Sequence, residues 1–301
     1  MGTNTGISNN AKALIAGITA NVIWGFSFMA TRIALGYTGV HMLLSLRFIA
    51  SFLIMLVLAA AGIGKVNFKG KPVGLLLLMA LCEPVIYFFA ETYGVKFTTS
   101  SFSGLMISLI PITTALLSVV VIREHLTLKR FLWILCSVLG VILISVKQTS
   151  EGTISVKGII CLLIAIISAS FFSILSRTLA GRFTSFERTF IMMLMGCICF
   201  TGTALIENRT DYIPAFAAAV TEPHVILPVL FLSLICSVTA FFCMNYAMTY
   251  LEVNRVVVFA NITPVVSVIA GVLFLGEPFS AIFLVGIILI LLGVYMVSKE
   301  N

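Results

Sequence analysis

Charge is what this sequence has least of. Asp, Glu, Lys and Arg make up 10% of its 301 residues, where a soluble domain carries about 25%. Asp211 is the only aspartate, so no pair of aspartates can work together as acid and base. There is no His-Glu-x-x-His run and no Walker-type phosphate loop, which removes the zinc-hydrolase and nucleotide-driven readings. The net charge of +7 would suit a nucleic-acid partner only if Lys and Arg clustered, and no run of them is long enough to form a basic patch. The seven cysteines, Cys82, Cys136, Cys161, Cys197, Cys199, Cys236 and Cys243, all fall in apolar stretches. There they act as small apolar residues, and nothing in their spacing points to a disulfide framework, a metal or any other cofactor.

Apolar residues fill the space that charge leaves. Hydrophobic residues make up 60% of the chain and the mean hydropathy is +1.18. Runs of about 20 apolar residues, long enough to cross a bilayer as helices, recur throughout. We therefore expect an all-α polytopic membrane protein with the lipid bilayer as its solvent. Its spans are predicted over 12–35, 41–62, 72–94, 99–122, 129–147, 157–179, 186–207, 225–249, 253–275 and 280–298. The first of these is too long for a signal-peptide core and is expected to stay as a helix. The longest connection, 208–224, carries Asp211, Pro214, Glu222 and Pro223 and reads as an exposed loop.

The sequence also repeats itself at an offset of 153 residues. Pro111 and Glu124 recur as Pro264 and Glu277, Gly140-Val141 as Gly293-Val294, Tyr93 as Tyr246 and Ser145 as Ser298. Apolar helices share Leu, Val and Ile by chance, but Pro, Glu, Gly and Tyr are uncommon in them, which favours duplication. With five spans per half, the halves enter the membrane in opposite directions. Inverted repeats of this kind characterise secondary transporters, whose binding site lies between the halves.

Loop charge tests the inversion. Ten spans put both termini on one side, and that side receives twelve of the eighteen Lys and Arg residues, among them Lys65, Lys69, Lys71, Arg123, Lys129 and Arg130. The other side receives five, namely Arg32, Lys96, Lys147, Lys157 and Arg209, while Arg47 lies inside a span. Both termini are therefore expected in the cytoplasm, with the protein in the cell membrane. The stretch from Gly276 to Phe283 has no Lys or Arg, whereas its counterpart after Glu124 is basic, as opposed orientations require.

The residues Trp24-Gly25-Phe26-Ser27-Phe28, Arg47-Phe48, Pro111 with Glu124, Pro264 with Gly276-Glu277-Pro278, and Gly286 with Gly293 resemble the EamA family of the drug/metabolite transporter superfamily. The resemblance covers the chain as two halves, 12–147 and 157–298. It implies ten transmembrane helices in two inverted five-helix repeats around a central cavity, and secondary transport of small molecules. It does not fix the substrate, since such proteins handle amino acids, nucleosides, sugars, toxic cations and other metabolites. The sequence departs from the pattern at Trp133, where a glycine matching Gly286 is expected.

Candidate site residues are the polar groups within spans. Glu83, Tyr87 and Glu91 advance in steps of four, about 40° each, and so share one face of a continuous helix. A carboxylate in the bilayer interior costs about 2.5–3.5 kcal/mol on insertion scales and faces protein or water. The positions 153 residues later are Cys236, Ala240 and Met244, so the acidic stripe breaks the repeat. Two roles fit it: exchange of protons, because desolvation disfavours the charged form, or direct contact with a cationic or amino group of the substrate. The alternative is an ion pair with Arg47, which lies about 9 Å into its span against about 4.5 Å for Glu91 and about 16 Å for Glu83.

Trp24, Asn21, Asn245, Tyr246 and Asn261 are further candidates to line a cavity, with helix–helix hydrogen bonding as the alternative for the amides. Pro111 and Pro264, near the middle of their spans, are candidate hinges or static kinks. Glu124 and Glu277 lie at helix ends and are expected to stabilise loops. His41, His125 and His224 fall at span ends, where a surface histidine is the default. The sequence thus favours a transporter of a small polar or amphipathic metabolite, amino-acid-like or cationic, coupled to protons and acting as an exporter. A non-transporting membrane partner and an intramembrane enzyme are the weaker alternatives.

Overall fold

Helices account for all the regular structure among the described residues, and the reason is the solvent: in lipid every backbone N–H and C=O must find its partner inside the chain. The computed structural model describes residues 9–122, 127–150, 152, 154–179, 181–250, 259 and 262–299. The helices are α1 (Asn9–Leu35), α2 (Val40–Ala60), α3 (Val73–Ala80), α4 (Tyr87–Phe97), α5 (Ser100–Ile107), α6 (Ile110–Ile122) and α7 (Leu128–Ser150). They continue as α8 (Val156–Leu179), α9 (Ser185–Asn208), α10 (Tyr212–Thr221), α11 (Pro223–Leu230), α12 (Ala240–Tyr250), α13 (Ile262–Leu275) and α14 (Ala281–Lys299). Among the described residues, six apolar stretches are long enough to cross a membrane, and four further apolar helices are shorter.

The distribution of side chains is that of a protein dissolved in lipid. Large apolar groups such as Val57, Leu273 and Ile206 stand mostly exposed on the exterior, while Ser45, Ser51, Ser137, Ser233, Ser237 and Ser267 are fully buried between helices. Small hydroxyl residues let helices approach closely and bond across the contact. At one end of the bundle, Thr184 and Glu187 form a reciprocal cap on α9. The Glu187 carboxylate also accepts from the Asn67 amide (2.9 Å) and from Lys71 Nζ (2.7 Å), tying α9 to the turn before α3.

Three expectations need correction. The stretch 208–224 is not an exposed loop; a single tight turn at Arg209–Asp211 leads into α10. Its alanines, Ala215 and Ala217 to Ala219, are the strongest helix formers. Pro214 falls in its first turn, and Pro223 opens α11, both positions where proline is tolerated. Tyr212, Ala215 and Phe216 pack inward against a cluster that includes Met42, Leu43 and Val229.

The second correction concerns 72–94, which is not one continuous helix. Between α3 and α4 the segment Leu81–Ile86 is π-helical, with Glu83 in extended conformation (φ −141°, ψ 116°). Pro84 explains this, because proline has no N–H to give and excludes the helical region for the residue before it. A second π-helical segment, Phe231–Thr239, separates α11 from α12. Adding 153 to the numbers of the first segment gives 234–239, inside the second. The predicted span 99–122 is likewise broken, between α5 and α6 at Ser108 and Leu109. Pro111 is the second residue of α6, and Pro264 lies in α13.

Helices from the two ends of the chain interleave. α1 packs against α12 and α13, while α8 packs against α4 and α6. α7 and α14 form an extensive contact. There the Ser137 hydroxyl donates to the Ile290 carbonyl (3.2 Å). A Cβ on Gly140 would stand 2.7 Å from the Gly286 carbonyl, and one on Gly293 would stand 2.6 Å from the Trp133 carbonyl. Partner numbers fall in α14 as they rise in α7, so the two helices run antiparallel. Trp133 does not loosen this packing, because its backbone, not its ring, meets Gly293.

Candidate functional site

Breaks in helices free carbonyls, and both π-helical segments have theirs taken by a side chain from a distant helix. Ser168 on α8 donates its hydroxyl to the Cys82 carbonyl (2.7 Å). Trp24 on α1 donates its indole N–H to the Cys236 carbonyl (3.2 Å), with its ring edge-on to Phe241 at 5.4 Å. These bonds hold the two broken spans against α8 and α1, the helices with which the remainder of each broken span also packs.

Arg47 on α2 reaches into this region and is buried, 3% exposed. Its Nε donates to the Ser237 hydroxyl (3.2 Å) in the second π-helical segment. Its guanidinium carbon lies 4.2 Å from the centre of the Phe88 ring on α4 and 5.7 Å from that of Phe48. An arginine over an aromatic face is stabilised by about 0.5–2 kcal/mol, most when desolvated. Phe48 itself packs edge-on to Phe88 and against Phe200. Among the described residues, Nη1 and Nη2 of Arg47 have no hydrogen-bond partner and no carboxylate stands within ion-pair distance of them.

The carboxylates lie close by without touching Arg47. Glu91 on α4 is buried, 3% exposed, and among the described residues its only hydrogen bond comes from the hydroxyl of its neighbour Thr92 (3.2 Å). Tyr87, one turn earlier, is also buried and stands edge-on to Phe88 at 4.9 Å. Glu83 is half-buried, with no hydrogen-bond partner among the described residues. Arg47 interacts electrostatically with Glu91, Tyr87 and Glu83 beyond contact distance. The continuous acidic face expected for Glu83, Tyr87 and Glu91 is not formed, since the break at Glu83 re-aims that residue relative to the other two. The cluster is nonetheless one electrostatic unit: one fixed cation, two carboxyls and a phenol, with the Phe48 and Phe88 rings beside Arg47.

The other expected residues sort differently. Asn21 is buried and fully engaged: its amide donates to the Gly17 carbonyl (2.9 Å) and its oxygen accepts from the Thr263 hydroxyl (3.0 Å). It joins α1 to α13, which is the helix–helix bonding alternative. Tyr246 on α12 packs beside a cluster of small residues that includes Ala13, Ala20 and Ala247. Asn245 lies on α12, and Asn261, Glu124 and His125 lie outside the described residues. His41 is not a plain surface histidine, because its Nε2 is 3.1 Å from the Tyr93 hydroxyl and its side chain is 16% exposed.

Ser237, Phe88 and Ser168 were not among the expected residues. Serine and phenylalanine are common in apolar helices, so their types carry no signal. The repeat offset does reach two of them, since Phe88 recurs as Phe241 and Ser237 stands where the first half has Pro84. A cavity of about 530 Å³ lies elsewhere, lined by Tyr37, Met42, Glu207 and Glu222 among others, and an apolar groove of about 330 Å³ runs between α13 and α14.

A profile described as the EamA-like transporter family matches residues 11–146 and 156–299. The chain is 28% identical over 284 residues to the uncharacterized transporter YcxC of Bacillus subtilis, covering 94% of this chain and 91% of that one. It is 24% identical over 291 residues to an uncharacterized transporter of Archaeoglobus fulgidus, covering 96% and 99%. A WAT1-related chloroplastic protein of Arabidopsis thaliana is 23% identical, covering 91% of this chain and 66% of the plant protein. A solved crystal structure with 19% identity superposes with a TM-score of 0.63 over 94% of this chain and 95% of its own, a likeness of fold.

Proposed function

The chain belongs to the EamA-like transporter family, and from that membership we propose a secondary active transporter that moves a small amino-acid-like or cationic metabolite by alternating access. A multi-pass membrane transporter implies a small-molecule substrate and a lipid bilayer. The finer reading has ten transmembrane helices in two inverted halves, 12–147 and 157–298, with both termini in the cytoplasm. The antiparallel α7–α14 contact supports the inversion, as do the two π-helical segments that coincide on adding 153. Pro111, in the first turn of α6, and Pro264, in α13, are the proposed hinges.

The observation that carries the site is the group of Arg47, Glu83, Tyr87 and Glu91 at the break in the third span, with no contact ion pair among them. Charges that already neutralise each other have nothing left for a ligand. Here the two outer nitrogens of Arg47 suit an anionic or carbonyl oxygen of the substrate, while Glu91 and Glu83 suit an ammonium group or a proton. Glu83 is the better proton site, because it is half-buried and stands where the helix opens. Substrate and proton then compete for the same small set of groups, which is the minimum needed to couple their movements. Export driven by an inward proton gradient is the direction we favour.

Transport in proteoliposomes under an imposed pH gradient tests this reading across a panel of amino acids and organic cations. With a substrate found, Glu83→Gln is expected to remove the dependence on the gradient while leaving thermal stability near that of the parent. A mutant that keeps the parental pH dependence overturns the proton role of Glu83. A panel in which no solute moves counts against coupled transport itself.

A further inference from the structure

The α13–α14 corner is built to reach across to the first half of the chain. α13 ends at Leu275, Gly276 turns the chain in the left-handed region (φ 64°), and the Glu277 N–H donates back to the Gly271 carbonyl (3.1 Å). This turn presents the Glu277 carboxylate to the first turn of α5. Oε1 accepts the Ser100 N–H (2.6 Å), and Oε2 accepts both the Ser101 N–H (2.9 Å) and the Ser101 hydroxyl. The next N–H that needs a partner, that of Phe102, goes to the Thr99 hydroxyl (3.1 Å). One side chain from the second half thus caps a helix of the first, replacing partners that α5 lacks within itself.

The contact continues inward from that cap. The Ser267 hydroxyl on α13 donates to the Ser100 carbonyl (2.8 Å). Gly104 on α5 and Gly271 on α13 leave no room for a Cβ: the first would collide with Ser267, the second with Glu277 and Ser101. The outermost part of this contact is a set of charge-assisted hydrogen bonds, strong when made. At a membrane edge, water can take over both partners when they part, so the net cost of opening stays modest. The α7–α14 contact differs, since there glycine packs onto backbone and water has no means of replacing the lost packing.

We propose that Glu277 is the latch of the extracellular gate, a positioning residue that holds α5 and α13 together while the cluster around Arg47 is shut off from outside. The proposal rests on the alternating-access reading and its orientation, which put the Gly276–Glu277 corner on the outer face. Glu277 touches no substrate; it sets how much of the time the outer path is open.

The test reads gate opening directly and needs no substrate. In a full-length chain with the native cysteines replaced, Ser267→Cys places one thiol under Gly104, reachable only when α5 and α13 separate. Its labelling by a membrane-impermeant thiol reagent is measured from each face of sealed vesicles. With Glu277→Ala, labelling from the outer face is expected to rise on the order of tenfold, a population shift of about 1.4 kcal/mol, and labelling from the cytoplasmic face is not. Glu277→Gln, which keeps one acceptor oxygen, falls between this and the parent. An unchanged outer rate, or an equal rise from both faces, overturns the latch. Should Glu277→Ala fail to fold, Ser101→Ala decides, because it removes only the hydroxyl bond and predicts a smaller rise of the same sidedness. Failure of the Glu83 reading leaves this result intact, since labelling depends on neither protons nor substrate.

Discussion

The two π-helical segments share a register and differ in chemistry. Leu81–Ile86 contains Glu83 and Pro84, and its freed Cys82 carbonyl is taken by a serine. Phe231–Thr239 has Cys236 and Ser237 at those positions, and its freed carbonyl is taken by Trp24. The first segment is broken at a proline, with Glu83 extended; the second is π-helical and has no proline. The second therefore depends on its surroundings, on Trp24 and on Arg47 bound to Ser237, while the first carries the cause of its break in its own sequence. Two spans interrupted at matched positions, but charged at one only, separate the framework of the site from its chemistry.

The largest effect is expected from breaking that difference. Pro84→Ala restores a backbone donor and lifts the restriction on Glu83. Transport in proteoliposomes should fall at least about tenfold, or about 1.4 kcal/mol, with the protein still folded. Parental transport would mean that the first break, like the second, is held by its neighbours. Next comes the framework itself: Gly140→Leu pushes a side chain into the Gly286 carbonyl and should destabilise by about 1–3 kcal/mol, the usual cost of overpacking, seen as a lower melting temperature in detergent. No change in melting would show that the α7–α14 contact yields.

A smaller loss is expected from Phe88→Leu, which removes the ring beneath Arg47 and should lower thermal stability by about 0.5–2 kcal/mol. Arg47 would then be free to move toward Glu91, so a gain in stability would reveal a latent ion pair. The finest comparison pairs Trp24→Phe with Ser168→Ala. Each removes the donor to one freed carbonyl and should cost about 1 kcal/mol, measured as the shift in melting temperature. A clearly larger loss for Trp24→Phe would confirm that the second break leans more on its neighbours.

Much of this was legible in the sequence, and the reasons for the exceptions are physical. Long apolar runs announced the helical membrane protein, because lipid leaves the backbone no other choice. Pro84 stands beside Glu83 in the sequence and is the cause of the break, but the steps of four from Glu83 to Glu91 drew the reading to one continuous face. The second break was silent, since no proline or glycine lies in Phe231–Thr239. Ser237 and Phe88 were silent too, being ordinary residues made significant only by Arg47. In 208–224 the prolines and acidic ends hid an alanine-rich helix. Glu277 was placed correctly at a helix end, but its partner is Ser100–Ser101, 177 and 176 residues away, and no local pattern predicts that.

The α7–α14 contact has a consequence for assembly. Gly140 meets position 286 and Gly293 meets position 133, so adding 153 to one member of a pair and subtracting it from the other returns the second pair. Such a surface is isologous, of the kind that joins identical subunits about a twofold axis. A chain severed between α7 and α8 therefore yields two fragments that carry matching halves of one fastener.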